Sequence, residues 1–185
     1  AKKTYEAIRS LAPGSTVSII GGGLSGVELA SELYEARPDL KIKIYDRGSR
    51  ILSSFPENIS THVENWFDNH NIDMIINANI TRIEKNVLYN YNEPIESDLI
   101  IWTAGIQPNK VVRDLDVEKN RNGQIILTQY HHIPGNENVF VVGDCAALPH
   151  SPSAQLAEGQ GEQIADVLWK KWNNDPLPEQ MPPIK

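Results

Sequence analysis

A run of glycines between an apolar segment and a helical one constrains this chain more than any other feature: residues 19–33 read IIGGGLSGVELASEL. Val17–Ile20 predicts a short buried strand, and apolar residues recur at helical spacing from Leu24 until Arg37–Pro38 stops the helix. A strand that enters a helix through such a turn brings backbone amides and the positive end of the helix dipole together. The sequence therefore predicts an anion-binding turn at the carboxyl end of a parallel strand.

The glycines of this turn have the spacing Gly21-x-Gly23-x-x-Gly26. The first permits a tight turn, the second lets backbone N–H groups approach a pyrophosphate, and the third allows the helix to pack closely on the strand. The amides of Leu24 and Ser25 at the start of the helix are further candidate contacts. The alternative is an ordinary glycine turn that binds no ligand.

Asp46 makes the glycine spacing more specific. It stands 20 residues after Gly26 and follows a predicted strand at Ile42–Tyr45, where a carboxylate can accept hydrogen bonds from both ribose hydroxyls of an adenosine. A carboxylate there repels the 2′-phosphate of NADP and therefore favours NAD. Arg47 and Arg50 weaken this preference, because a guanidinium beside the ribose can pair with a phosphate. The alternatives are a solvated surface acid and solvated or ion-paired arginines.

The order of the other predicted elements indicates an α/β fold. Pro56 opens a second helix, and short apolar strands separated by asparagine-rich turns follow it. These strands are predicted at Met74–Ile76, Ile80–Ile83, Val87–Tyr91 and Leu99–Thr103. Residues 1–105 are therefore predicted to form a βαβαβ domain with a small antiparallel insert.

Residues 106–175 are predicted to form a second, less self-sufficient segment. A turn at Asn122–Gly123 precedes an apolar strand at Val139–Val142, which ends on Gly143–Asp144. A last helix is predicted over Ala154–Trp172, and residues 176–185 form an extended, proline-rich tail. The predicted apolar stripe of that helix is Ala157, Gly161, Ile164, Leu168 and Trp172.

Charge and cysteine content exclude several classes of protein. The 24 acidic and 17 basic residues give a net charge of −7, which argues against nucleic acid and anionic lipid as general partners. Cys145 is the one cysteine, so structural disulfides and a cysteine metal cage are excluded and a reducing cytoplasmic setting fits. We interpret Cys145 as a small packed residue, with a reactive thiol as the alternative. His131, His132 and His150 lack ligand spacing, so no metal site is predicted.

Three segments together resemble a known family. GGGLSGVELASEL, DLIIWTAGIQPN and NVFVVGDCAALP are similar in order and spacing to the two-dinucleotide-fold flavoproteins, the pyridine nucleotide–disulfide oxidoreductases, and within them to the type II NADH dehydrogenases. The resemblance implies a Rossmann-like three-layer nicotinamide-binding domain with an antiparallel insert, followed by part of a flavin-binding domain. It also implies NADH and FAD as cofactors, with a quinone or similar electron acceptor in the parent enzyme.

The resemblance assigns roles to individual residues. It places Glu28 near the nicotinamide carboxamide and Ala104–Gly105 against the dinucleotide. It places Gly143–Asp144 at the ribityl chain of FAD. The alternatives are that Glu28 is an acid favoured by the dipole of its helix and that Asp144 caps a turn.

The residues expected near the electron acceptor depart from the family pattern. Quinone-reducing members carry an alanine–glutamine pair and a second glutamine along the last helix. Ala154–Gln155 fits the pair, but Gly159 stands at the second position and Gln160 follows it. One residue rotates a helix by about 100°, so Gln160 is expected to point elsewhere. Glu28 and Gln155 are the predicted positioning residues, and the bond changes belong to the cofactors.

The resemblance covers the middle of a longer enzyme. Such an enzyme begins with its own flavin-binding glycine turn, and this chain is expected to be an excised piece. The strand at Val139–Val142 would then lack its neighbours and expose apolar surface, so we expect self-association or poor ordering of the second half, and no FAD binding by the chain alone. The parent is expected in the cytoplasm, peripheral on the inner face of the membrane. The alternative functions are a soluble flavin reductase for a protein, disulfide or oxygen acceptor, and a non-catalytic NAD-binding sensor.

Overall fold

A computed structural model describes residues 2–148 and 153–184, and His150 lies outside these ranges. The chain divides into two compact units, residues 1–105 and 106–185. The helices are α1 (Lys2–Ser10), α2 (Leu24–Ala36), α3 (Glu57–Asn69), α4 (Lys110–Asp114) and α5 (Ala154–Asn173). The strands are β1 (Thr16–Ile20), β2 (Lys41–Tyr45), β3 (Asp73–Ile75), β4 (Ile80–Glu84), β5 (Val87–Asn90), β6 (Glu93–Glu96), β7 (Leu99–Trp102), β8 (His132–Ile133) and β9 (Asn136–Phe140).

The first unit is built on a parallel four-stranded sheet in the order β3-β2-β1-β7. Ile20 is level with Tyr45 on one side and with Trp102 on the other. The segments that leave β1, β2 and β7 therefore emerge together at one edge, where open α/β sheets bind ligands. This confirms the predicted α/β class and the strand–turn–helix order.

The parallel sheet is the middle of three layers. On one face the side chains of Val17, Ile19, Ile42 and Ile44 pack with residues of the helices, including fully buried Phe67 of α3. On the other face Ile20 and Tyr45 pack against Leu88 and Ile95 of an antiparallel sheet with the order β4-β5-β6. The antiparallel insert thus forms the third layer.

β6 was not predicted from the sequence. Its residues, Glu93–Glu96, include Pro94 and two glutamates, and most of them are exposed. Proline is tolerated on an edge strand because no neighbour needs its missing N–H. The charged residues and the proline therefore gave no strand signal for β6, which is paired on one side only.

The second unit contains the β8–β9 hairpin, a 3-10 turn at Gly143–Cys145 and α5. The predicted turn at Asn122–Gly123 is present, with Gly123 at φ +79°. The predicted strand Val139–Val142 was wrong in its bounds, because β9 spans Asn136–Phe140 and pairs in a hairpin.

The predicted apolar stripe of α5 was only partly right, since Ala157 and Ile164 are half-buried. Leu168 and Trp172 are 47% and 87% exposed, whereas Gln160 and Val167 are fully buried. The buried face therefore shares part of the predicted stripe but extends to the side of Gln160 and Val167 rather than that of Leu168 and Trp172. Spacing indicates that a helix is amphipathic, but the stripe that is covered depends on the packing partner.

Candidate functional site

A cleft of about 740 Å³ opens at the carboxyl edge of the parallel sheet, a volume typical of ligand sites. Its walls come from the turns after β1, β2 and β7 and from the segment before β4. Six of the predicted residues line it: Gly21, Gly23, Leu24, Asp46, Ala104 and Gly105. Ser25, Gly26 and Glu28 of α2 are not among the lining residues.

Gly21 and Gly26 are required by the protein's own packing. Gly21 has φ +117°, and a Cβ there would lie 2.8 Å from the backbone nitrogen of Ala104. A Cβ on Gly26 would lie only 1.8 Å from the carbonyl oxygen of Gly21. These two glycines therefore let α2 start directly against the strand it follows.

Gly23 differs, because a Cβ there would meet no protein atom within 4 Å. It is the N-cap residue of α2 at φ −78°, and no side chain caps this helix start. The first amides of a helix have no intrahelical acceptor. The start of α2 therefore presents Gly23, Leu24 and Ser25 as a positively polarised, unhindered cradle for an anion.

Asp46 is anchored by two backbone amides. Its Oδ2 accepts a hydrogen bond from the amide of Gly22 at 2.6 Å, and its Oδ1 accepts one from the amide of Gly48 at 2.6 Å. A Cβ on Gly22 would lie 2.9 Å from the Cβ of Asp46 and 2.8 Å from Cγ2 of Ile51. Each carboxylate oxygen keeps acceptor capacity for a further donor.

Sequence reasoning missed Gly22 and Gly48. The signal for Gly22 was the uninterrupted triple glycine, since spacing alone explains only the first and third glycines of that run. The signal for Gly48 was its position two residues after Asp46, a spacing at which aspartate side chains commonly bond their own backbone.

The two arginines after Asp46 have separate roles. Arg50 donates hydrogen bonds to three carbonyls within residues 52–55 and to the hydroxyl of buried Ser60. These contacts fix the loop that forms one wall of the cleft. Arg47 is exposed and lines the cleft, so it is the arginine positioned to meet a ligand.

The opposite wall is formed by the segment after β7. The Thr103 hydroxyl donates to the carbonyls of Ile20 and Gly21 at 3.0 and 3.1 Å, which ties this segment to the glycine turn. Gly105 has φ +73°, and the indole nitrogen of Trp102 donates to the Ala104 carbonyl at 2.6 Å. Thr103 was not predicted; its position before Ala104–Gly105 was the available signal.

Tyr45 is one of the residues that line the cleft. Its side chain is 2% exposed, and this burial raises the pKa of the phenol. A buried phenol disfavours its charged form, so Tyr45 adds no charge to the cleft at physiological pH.

Glu28 is the fifth residue of α2, and the first turn of that helix contains no acid. The side chain is exposed. The dipole effect falls off within the first turn, so the helix dipole gives little reason for an acid at this position. The role of Glu28 at the nicotinamide remains a prediction.

The predicted residues of the second unit occupy a turn and a helix start. Gly143 has φ +71° and opens the 3-10 turn, in which Asp144 is exposed. The N-cap of that turn is Val142, so Asp144 lies inside the turn. Gln155 is exposed in the first turn of α5, where the Ser153 hydroxyl accepts from the amide of Leu156 at 3.2 Å.

Other candidate chemistry is limited. Cys145 is half-buried, and the buried His131 ring bonds Gln163 Oε1 at 2.7 Å. Within residues 2–148 and 153–184, no three histidine, cysteine, aspartate or glutamate residues are grouped to hold a metal ion. In the same ranges, no helix combines the length and apolarity needed to span a bilayer.

Sequence comparison finds relatives over most of the chain. Residues 2–161 match the family described as pyridine nucleotide-disulphide oxidoreductase. The chain is 58% identical over 184 residues to the NADH dehydrogenase-like protein YutJ of Bacillus subtilis, covering 100% of this chain and 52% of that protein. It is 31% identical over 182 residues to the type II NADH:quinone oxidoreductase of Haemophilus influenzae, covering 87% of this chain and 41% of that protein. The chain therefore spans about half the length of these curated relatives.

Solved structures share the fold at low identity. Reduced Bacillus anthracis CoADR-RHD superposes with a TM-score of 0.75 at 18% identity, covering 97% of this chain and 33% of that chain. The water-forming NADH oxidase of Lactobacillus brevis bound to NADH gives 0.72 at 22% identity, covering 90% of this chain and 39% of that chain. These structures show the shared fold, and the family match over residues 2–161 establishes that the chain belongs to the pyridine nucleotide-disulphide oxidoreductase family.

Proposed function

We propose that this chain carries the nicotinamide-dinucleotide site of an NADH-oxidising flavoprotein. The observation that carries the proposal is the open cradle at Gly23, with no protein atom within 4 Å of a Cβ there, beside the anchored carboxylate of Asp46. The pyrophosphate lies over the amides of Gly23, Leu24 and Ser25. The adenosine ribose bonds Asp46, which is already fixed by two amides.

The preferred nucleotide is NADH. The carboxylate of Asp46 accepts hydrogen bonds from a free diol and repels a 2′-phosphate. Five substitutions made an NADPH oxidase from the Lactobacillus brevis NADH oxidase, among them an aspartate changed to alanine and the following alanine changed to arginine. Here Asp46 is followed by Arg47, so the acid is the group that holds the preference for NADH.

The second unit contributes residues to an FAD site in the proposed enzyme. A positive φ at Gly143 and an exposed carboxylate at Asp144 suit a turn that approaches a polyol closely. When bound, FAD supplies the chemistry of accepting a hydride and passing on electrons. Glu28 and Gln155 are the proposed positioning residues. The proposed site of action is the cytoplasmic face of the membrane.

A quinone is the proposed electron acceptor. Relatives include the type II NADH:quinone oxidoreductase of Haemophilus influenzae and the demethylphylloquinone reductase NdbB of Synechocystis. These names favour a quinone over a protein, disulfide or oxygen acceptor, and an enzyme over a sensor. Turnover with a soluble quinone analogue tests the acceptor in the complete flavoprotein.

Calorimetric titration of the chain with NADH and NADPH tests the nucleotide site. We expect the unsubstituted chain to bind NADH more tightly than NADPH. Asp46→Asn should weaken NADH binding at least tenfold, because the ribose loses a hydrogen bond to a charged acceptor. Such a bond contributes about 1.5–3 kcal/mol. Asp73→Asn is the matched control, since Asp73 is an exposed aspartate that begins β3 and is absent from the cleft. Equal affinity of both nucleotides, or equal losses in the two variants, would contradict the proposal.

A further inference from the structure

Two buried glutamines form hydrogen bonds with the backbone of the Gly143–Cys145 turn. Gln160 of α5 is fully buried, and its Oε1 accepts a hydrogen bond from the amide of Gly143 at 2.8 Å. Gln124 is 8% exposed, and its Nε2 donates to the carbonyl of Asp144 at 3.2 Å. Both side chains therefore form hydrogen bonds with backbone atoms of Gly143 and Asp144, and Asp144 carries the exposed carboxylate of this turn.

The chemistry of these contacts fixes the orientation of the side-chain amide of each glutamine. The amide of Gly143 can only donate and the carbonyl of Asp144 can only accept, so the oxygen of Gln160 and the nitrogen of Gln124 must face the turn. Gln124 is held at its other end as well, because its Oε1 accepts from Nδ2 of Asn120 at 2.9 Å.

Gln160 makes a less complete set of contacts. Its Nε2 has no hydrogen-bond acceptor among the described residues. Gln160 also lines a cavity of about 10 Å³ with Gly143, Ser153 and Ala157, the size of about one water molecule. Burying an amide donor is unfavourable compared with burying an apolar side chain of the same length. Packing alone therefore does not explain a glutamine here, whereas an acceptor for the Gly143 amide does.

We infer that Gln160 and Gln124 are positioning residues that hold the Gly143–Asp144 turn in a single conformation before any ligand binds. Gly143 has φ +71° and opens the 3-10 turn of residues 143–145. A backbone bridge between Ile125 and Ala146 holds the end of this turn, whereas the Gly143 amide and the Asp144 carbonyl are bonded by the glutamine side chains. The two glutamines supply fixed contacts at consecutive residues. The exposed carboxylate of Asp144 is thus presented without reorganisation, whichever ligand it meets.

Cys145 provides a built-in reporter for this turn. It is the single cysteine of the chain, it is half-buried, and its carbonyl accepts from the amide of Ile125 at 2.8 Å. The rate at which a disulfide reagent such as DTNB labels the thiol therefore reports how often the turn opens.

The test compares DTNB labelling of the chain carrying Gln160→Met, Gln124→Met or Gln163→Met. Methionine keeps the length of the side chain and removes its hydrogen bonds. Gln163 is the matched control, because it lies on the same helix and makes two hydrogen bonds, to His131 and to the carbonyl of Pro182, but none to the turn. We expect labelling to rise at least tenfold in the first two variants and to change less than twofold in the control.

Urea unfolding of each variant separates local opening from a general loss of stability. If Gln160→Met does not fold, Gln124→Met carries the test through the other contact. Labelling that stays at the unsubstituted rate in the folded variants, or that rises equally in Gln163→Met, would overturn the inference.

Discussion

The glycines of the turn after β1 serve different purposes, and substitution can separate them. Gly26→Ala should prevent the first unit from folding, because the new Cβ would lie 1.8 Å from a backbone carbonyl oxygen and cost more than about 4 kcal/mol. Gly23→Ala should leave the free energy of unfolding within about 0.5 kcal/mol. It should weaken NADH binding at least tenfold, because the methyl group enters the proposed pyrophosphate cradle. Urea unfolding and calorimetry measure both effects, and unchanged NADH affinity in Gly23→Ala would contradict the assigned cradle.

Ionisation of Tyr45 is expected to lower the free energy of unfolding at alkaline pH. Burial raises the pKa of its phenol, whereas an unfolded tyrosine ionises near pH 10. Below about pH 10 the phenol is protonated in both the folded and the unfolded state. Above that pH the unfolded state loses its proton first. The free energy of unfolding therefore falls as pH rises towards the folded-state pKa, by up to about 1.4 kcal/mol per pH unit. Urea unfolding at pH 9 and 11 should show a smaller decrease for Tyr45→Phe. Equal decreases would mean that Tyr45 does not titrate differently in the two states.

At the scale of elements, the segment after α5 packs against the rest of the second unit. The hydroxyl of Tyr130 donates to the carbonyl of Pro178 at 2.7 Å, and Gln163 Nε2 donates to the carbonyl of Pro182 at 2.6 Å. Ile184 packs over Gly159, where a Cβ would lie 2.3 Å from its Cγ2. The proline-rich tail is therefore a packed strap, and Gly159 provides the space for its last described side chain.

A double-mutant cycle tests this packing. Alanine is about 1 kcal/mol more favourable than glycine inside a helix. Gly159→Ala alone should nevertheless add little to the free energy of unfolding, because the new methyl group displaces Ile184. In the Ile184→Ala background the same change should stabilise the chain by about 1 kcal/mol. Thermal unfolding of the four proteins gives the coupling. An equal effect of Gly159→Ala in both backgrounds would show that the strap does not rest on α5.

The sequence predicted those elements whose signals are local. Strand, glycine turn and helix were predicted near their observed bounds, and Asp46 was predicted at the end of β2, because periodicity and turn chemistry are encoded by neighbouring residues. Long-range contacts were not predicted. Nothing in the spacing shows that Asp46 bonds the amide of Gly22, or that the buried face of α5 includes Gln160 rather than Leu168, because both depend on segments distant in sequence.

At the scale of the whole molecule, the second unit leaves apolar side chains uncovered. Leu168, Trp169 and Trp172 on α5 are 47%, 69% and 87% exposed. Contiguous exposed apolar surface favours association, so we expect the chain to self-associate as its concentration rises. The double variant Trp169→Gln, Trp172→Gln should shift gel filtration towards the monomer.

Trp102→Gln is the control for this prediction, since Trp102 is 57% exposed in the first unit. It should leave the elution profile unchanged. A monomer at all concentrations for the unsubstituted chain, or an equal shift with the control, would contradict an interface on α5.

The two amide contacts of Asp46 also bear on how cofactor preference can evolve. One carboxylate joins the loop at Gly48 to the turn at Gly22 and also faces the ribose in the proposed complex. A mutation that removed the acid to admit a phosphorylated nucleotide would release both loops at once, and selection for stability would oppose it. Drift towards NADPH would therefore require a compensating substitution that rejoins these loops, so the lineage is expected to keep the proposed preference for NADH even though Arg47 would suit a phosphorylated nucleotide.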